Sequence, residues 1–124
     1  MLKIRYLLVA TVVTGALLGA GATQASSQAK VTKLYGKVGP GFTITLKKKN
    51  FSPVKTLKPG VYTFVIMDTS TIHNFHLKGP GVDKKTAVRY LGTKTWAKLR
   101  LKKGTYRYWC DPHKTTMKGS FTVK

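Results

Sequence analysis

The turns of this chain constrain its fold more than any other feature. Gly39-Pro40-Gly41, Lys58-Pro59-Gly60, Gly79-Pro80-Gly81 and Lys102-Lys103-Gly104 punctuate the sequence, proline fixing φ and glycine accepting positive φ. The segments between them are short and rich in Val, Ile, Thr, Tyr and Phe, with no long helical periodicity. That pattern specifies an all-β sandwich. Strands are predicted over residues 31–38, 42–46, 61–68, 72–77, 95–101, 105–110 and 119–123. The stretch 82–94 is ambiguous, and its 86–91 part reads equally as one helical turn or an irregular strand.

Period-two alternation says which way the side chains point. In 95–101, Ala97, Leu99 and Leu101 share a face and Lys98 and Arg100 take the other, as expected where only one face of a sheet is buried. Tyr106, Tyr108 and Cys110 share a face opposite Arg107, so the thiol follows the tyrosines towards the core. Across 72–77, His73, Phe75 and Leu77 form one side and Ile72, Asn74 and His76 the other. The company of Phe75 and Leu77 turns His73 inward. Trp96 and Trp109 are expected to pack against the sheet.

With 124 residues and 42% hydrophobic content, the chain has room for one domain and one core. Its first residues read as an export signal: Lys3 and Arg5, an apolar run from residue 6 to about 20, then small residues. Removal is expected after Ala25, with Ala22 the alternative, giving a signal peptide over 1–25 and one domain over 26–124. The apolar run falls short of the roughly 20 residues that span a bilayer, and nothing after it is long or apolar enough to do so. The mature chain is therefore expected to be a monomer that is not transmembrane, exported to the periplasm, cell envelope or exterior.

Charge narrows the partners. Of 23 Lys and Arg, only Lys3 and Arg5 lie in the signal, so 21 basic residues face Asp68, Asp83 and Asp111, a formal +18. Such a field draws in anionic surfaces or acidic proteins and speeds encounter at low salt. An acidic redox protein or the anionic cell envelope is the expected counterpart. Nucleic acid is not expected, because no recognition motif is present and Arg is scarce, with 19 Lys against 4 Arg.

Cys110 is the only cysteine, and an exported chain usually pairs its thiols. An unpaired one is a buried inert residue, half of an intermolecular disulfide, or a metal ligand. Its neighbours decide. Cys110-Asp111-Pro112-His113-Lys114-Thr115-Thr116-Met117 places a thiol, an imidazole and a thioether in one loop at a strand end, and His73 adds a second imidazole from a separate strand. Taken singly, a His, a Cys and a Met are ordinary core residues. Together they suit one-electron copper, since soft sulfur favours Cu(I) and imidazole serves both oxidation states. Zinc is served poorly by Met117. Asp111, beside Pro112, is expected to stabilise the loop through a side-chain to backbone hydrogen bond, and His76 is expected to be an exposed strand residue.

The His73-Asn74 pair, the Cys-Asp-Pro-His loop with Met117, and the following Gly119-Ser120-Phe121-Thr122-Val123 strand resemble the cupredoxins, the plastocyanin, pseudoazurin, amicyanin and azurin group of blue copper proteins. The resemblance implies a Greek-key β-sandwich of about seven to eight strands. It implies one copper ion, Cu(I)/Cu(II), with His73, Cys110 and His113 as the strong trigonal set and Met117 as the long axial contact. It also implies that Asn74 braces the cysteine loop by hydrogen bonding, and that His113 lies near the surface, where electrons enter or leave. The two-residue gap from Cys110 to His113 looks more like plastocyanin and amicyanin than azurin; the three-residue gap from His113 to Met117 fits neither closely.

The leading expectation is an exported type 1 copper protein that shuttles single electrons. A copper carrier or buffer would use the same ligands, and a cationic binding module would need no metal. An enzyme is not expected: coordination is complete without a substrate position, and three His are too few for further copper centres.

Overall fold

The computed structural model describes residues 30–124, together with Gly15 and residues 19–21. The expected export signal and its cleavage site fall almost wholly outside the described residues. Nine strands follow in chain order: β1 (Thr32–Val38), β2 (Ile44–Lys47), β3 (Thr56–Leu57), β4 (Gly60–Asp68), β5 (His76–Gly79), β6 (Val82–Lys85), β7 (Gly92–Leu101), β8 (Gly104–Trp109) and β9 (Lys118–Val123). One 3-10 turn, Asp111–His113, separates β8 from β9.

β1 shows how the sequence makes a strand. Leu34, Gly36 and Val38 are buried while Lys33, Tyr35 and Lys37 are exposed, the alternation of a sheet with one wet face. It lies between antiparallel β2 and parallel β4, and β7 completes a four-stranded sheet ordered β2-β1-β4-β7. The second sheet is ordered β3-β9-β8-β5-β6. The chain changes sheet between β2 and β3, β3 and β4, β4 and β5, β6 and β7, and β7 and β8, the interleaved order of a Greek-key sandwich. The two strands beyond the expected set of seven are the two-residue β3 and β6, which opens the ambiguous stretch.

The inner faces meet in one core. Leu34, Val38, Leu46, Phe64 and Ile66 come from the first sheet, and Leu77, Tyr106, Phe121 and Val123 from the second. Tyr106 stacks on Phe121 at 5.2 Å between ring centroids, and Phe75 on Tyr108 at 5.4 Å. At Gly36 a Cβ would sit 2.5 Å from Ile66 Cδ1 and 2.9 Å from Phe75 Cε2. Only glycine lets the aromatic layer close on β1.

Three local expectations are corrected. The strand expected over 72–77 begins only at His76, because the Asn74 N–H donates to Cys110 Sγ and the Phe75 N–H to Thr86 Oγ1. Asn74 is therefore buried at 1% exposure, not turned outward with Ile72. In β7 the alternation breaks: Trp96 and Leu101 are buried and Ala97 is exposed. Pairing passes from Tyr62↔Leu99 to Phe64↔Trp96, so Ala97 and Lys98 together oppose Thr63. This is a β-bulge, with Lys98 at φ 54 and its N–H donating to Thr63 Oγ1. Residues 86–91 form neither helical turn nor strand, but a tight turn closed by Tyr90 N–H to Ala87 O at 3.0 Å.

Strand direction sets the two ends of the sandwich. Val38 pairs with Asp68 and His76 with Trp109. The segments after β1, after β4 and after β8 thus gather at one end, bringing residues 39–43, 69–75 and 110–117 together.

Candidate metal centre

The Cys110 loop is closed on itself. Cys110 leaves β8 in extended conformation, φ −94 and ψ 123, and Pro112 opens the 3-10 turn, where its missing N–H leaves no partner unpaired. His113 N–H donates to Cys110 O at 3.0 Å, Met117 N–H to His113 O at 2.8 Å, and Cys110 N–H to Met117 O at 3.0 Å. These bonds return Met117, 1% exposed, to the start of β9 beside the strand that delivered Cys110.

Two elements distant in sequence then meet. His73 and Cys110 are fully buried, and His113 is half-buried. His73 Nδ1 lies 3.1 Å from His113 Nδ1, and Cys110 Sγ lies 3.7 Å from the first and 3.6 Å from the second. A triangle with those edges has its centre about 2 Å from every corner, close to the 2.0–2.3 Å bonds that bind first-row metal ions to imidazole and thiolate. The chemistry agrees with the distances. Two nitrogen lone pairs and a sulfur held this close repel one another unless a proton or a cation lies between them. On the far side of the ring, His73 Nε2 is buried with no hydrogen-bond partner, so all polar interaction of this imidazole is directed at the cluster. Among the described residues, His73, Cys110 and His113 are the group of three side chains that can hold a metal ion. The donor set of two imidazoles and one thiolate, with a buried thioether on the same loop, fits copper.

Asn74 ties the two elements together. Its Oδ1 accepts the Asp111 N–H at 2.7 Å, and its Nδ2 donates to Asp111 Oδ2 at 2.7 Å and to Thr86 O at 3.1 Å. Its own N–H reaches Cys110 Sγ at 3.4 Å. Asp111 takes its side-chain hydrogen bonds from other side chains and not from its loop backbone: Asn74, His76 Nδ1 at 2.8 Å and Trp109 Nε1 at 2.7 Å. Burial pushes the Asp111 carboxyl up, but these hydrogen bonds outweigh it and hold the group below the ordinary carboxylate range.

The structure also corrects His76. Its side chain is 13% exposed, bridges Asp111 and Asp83, and packs on Trp109 at 4.4 Å between centroids. Its Nε2 lies 2.6 Å from Asp83 Oδ1, and that hydrogen bond holds the Asp83 carboxyl low.

Two further residues escaped the sequence reading. Phe42 stands edge-on to both imidazoles, 5.3 Å from His73 and 4.9 Å from His113, although it is 64% exposed. Asp68, 2% exposed, accepts from the Ser70 N–H and the Thr86 hydroxyl and so anchors the segment that leads to His73. Burial raises its carboxyl against those bonds. Phe42 follows a Gly-Pro-Gly turn, a place where an aromatic side chain has no strand neighbours to pack on. Asp68 is one of only three acidic residues and ends a buried strand. Both signals mark the residue without showing what it would contact.

Comparison with known proteins agrees with this arrangement. Two solved structures of rusticyanin are similar in fold, both with TM-score 0.57 and 20% identity over 77% of this chain. One is described as a copper protein and covers 79% of the rusticyanin chain; the other is the reduced form, with 81% covered. A search of curated protein sequences found no match. The family model described as copper binding proteins, plastocyanin/azurin family, matches residues 38–124. With a closed two-sheet sandwich and a His-Cys-His cluster at its end, the chain belongs to the plastocyanin/azurin family of copper-binding proteins.

Proposed function

We propose that the protein is a one-electron carrier whose single copper ion would be held by His73, Cys110 and His113, with the Met117 thioether as a further, weaker donor. The observation that carries this reading is the triangle of donor atoms, spaced at 3.1, 3.6 and 3.7 Å. When bound, copper supplies a Cu(I)/Cu(II) couple. The chain supplies a site that need not rearrange. Cys110 is fixed by its own N–H and by the Asn74 N–H, and His113 by the backbone bonds of its turn. Asn74 and Asp111 lock the loop to the segment that carries His73.

Burial supports electron transfer over metal delivery. His73, Cys110 and Met117 are all within 1% of complete burial, so release of the ion requires the loop to open, whereas an electron needs only the half-exposed ring of His113. Phe42, 64% exposed, packs edge-on against both imidazoles, and Ile72, 53% exposed, directly precedes His73. They let a partner approach without stripping water from a charge.

In this reading the chain is exported, with residues 1–25 removed and 26–124 forming the mature monomer, and its counterpart is an acidic redox protein or the anionic envelope. Adding Cu(II) to the protein tests the core of it. An intense blue colour is expected, lost on reduction and absent in Cys110→Ala; a colourless Cu(II) complex would overturn the reading.

A further inference from the structure

We propose that the end of the sandwich opposite the metal centre is a docking surface for an anionic lipid membrane. Strand register defines that end: Thr32 pairs with Tyr62, Gly60 with Leu101 and Gly104 with Val123. Its turns carry Lys58, Lys102 and Lys103, and Lys30 stands where the chain enters β1. Lys48 and Lys49 line, with Lys30 and Tyr62, a shallow groove at the same end. All six are exposed.

These cations have no Asp or Glu side chain to answer them. Asp68 and Asp111 lie at the metal end, and Asp83 is bound to His76. Among the described residues, the two ion pairs are both made by His76. Six lysines left unpaired at one end repel one another, whereas the three Asp side chains lie outside this cluster and temper the positive charge nearer the metal centre, where Lys114 also stands exposed.

The chemistry of the patch favours headgroups over a protein. All six are lysine, a hydrated point charge on a flexible stem, which suits diffuse attraction to a charged surface. Protein interfaces centre on Trp, Tyr and Arg anchors; Trp109 and Arg107 lie on β8 with their neighbours on the sheet face, and of the two tyrosines in the lysine groove Tyr62 is buried with its hydroxyl bonded to Lys58 O, which leaves only Tyr35 exposed. The consequence for orientation rests on the copper reading: docked by its lysines, the protein presents His113 to the aqueous side.

The test uses the full chain and vesicles of phosphatidylcholine, either pure or with roughly 30% phosphatidylglycerol. One variant combines Lys48→Gln, Lys49→Gln, Lys102→Gln and Lys103→Gln. A second removes the same charge elsewhere, with Lys78→Gln, Lys84→Gln, Lys94→Gln and Arg107→Gln. The wild type should bind the anionic vesicles at least about tenfold more tightly than neutral ones and be released by salt. The first variant should lose most of that preference and the second should keep it within about threefold. Equal loss in both variants overturns the proposal, because net charge and not this end would then be responsible. Equal binding of the wild type to both vesicles overturns it in favour of the apolar stretch alone. A first variant that keeps vesicle binding but loses binding to polyglutamate overturns it in favour of an acidic protein. The blue band is recorded on every sample, so failure of the copper reading shows there and failure of the docking reading in the vesicles.

Discussion

Asn74→Ala probes the joint on which the site depends. The substitution deletes three side-chain hydrogen bonds, one from the Asp111 N–H, one to Asp111 Oδ2 and one to Thr86 O. A neutral bond is worth about 1 kcal/mol net and one to a carboxylate about 1.5–3 kcal/mol. Asp111 is 36% exposed, which places its share at the low end. Thr86 is 1% exposed, so its carbonyl is left without solvent to replace the lost donor. The sum is about 3–5 kcal/mol, or a fall of roughly 15–25 °C in Tm for a domain of this size. The assay is thermal unfolding of the metal-free protein followed by circular dichroism. Asn74→Asp sharpens it: the shape is kept, but a second carboxylate oxygen faces Asp111 Oδ2 across 2.7 Å. That variant should be at least as unstable as Asn74→Ala at pH 7 and should recover in acid, where one of the pair takes up a proton. A fall of less than about 5 °C in Asn74→Ala refutes the reasoning, since the two elements would then be held together by something else.

Other consequences follow from the same geometry. Met117→Leu keeps the buried volume and should cost less than about 1.5 kcal/mol, yet it removes a sulfur donor from the oxidised ion, so voltammetry should show a raised potential. Gly36→Ala forces a methyl against Ile66 and Phe75 and should lower stability by about 1–3 kcal/mol in urea titration. Asp83 and Asp111 are held low, so the stability they contribute is present above about pH 3.9 and is lost as pH falls through their folded values. Asp68 is held high and has the opposite sign: its contribution weakens as pH rises from about 3.9 through its folded value. Acid titration of the metal-free protein should therefore show a shallower acid loss in Asp83→Asn and a steeper one in Asp68→Asn.

Much of the fold was legible because turns and alternation are local. Tyr106 and Tyr108 are buried on one face of β8 and Cys110, just past its end, is buried after them as their spacing requires, and β1 alternates without interruption. What escaped was decided by partners far along the chain. Nothing in the order of residues 95–101 marks the bulge that turns Ala97 outward, because it depends on Thr63 filling the gap from β4. The Ile72 segment has a strand's composition, but its N–H groups are claimed by Cys110 and Thr86, so the ladder begins four residues late. The metal cluster could be proposed because Cys110, His113 and Met117 are close in sequence and chemically matched. Its surroundings could not: His76 is an ordinary strand residue until Asp83 and Asp111 are folded onto its two nitrogens. Phe42 has no pattern at all to place it over the imidazoles.

The central claim is that one thiolate and two imidazoles bind the same ion. X-ray absorption at the copper edge of the loaded protein measures this without reference to colour or activity. We expect one sulfur and two nitrogen scatterers within about 2.0–2.3 Å of copper, with the sulfur lost in Cys110→Ser. A shell of nitrogen and oxygen alone in the wild type would contradict the account.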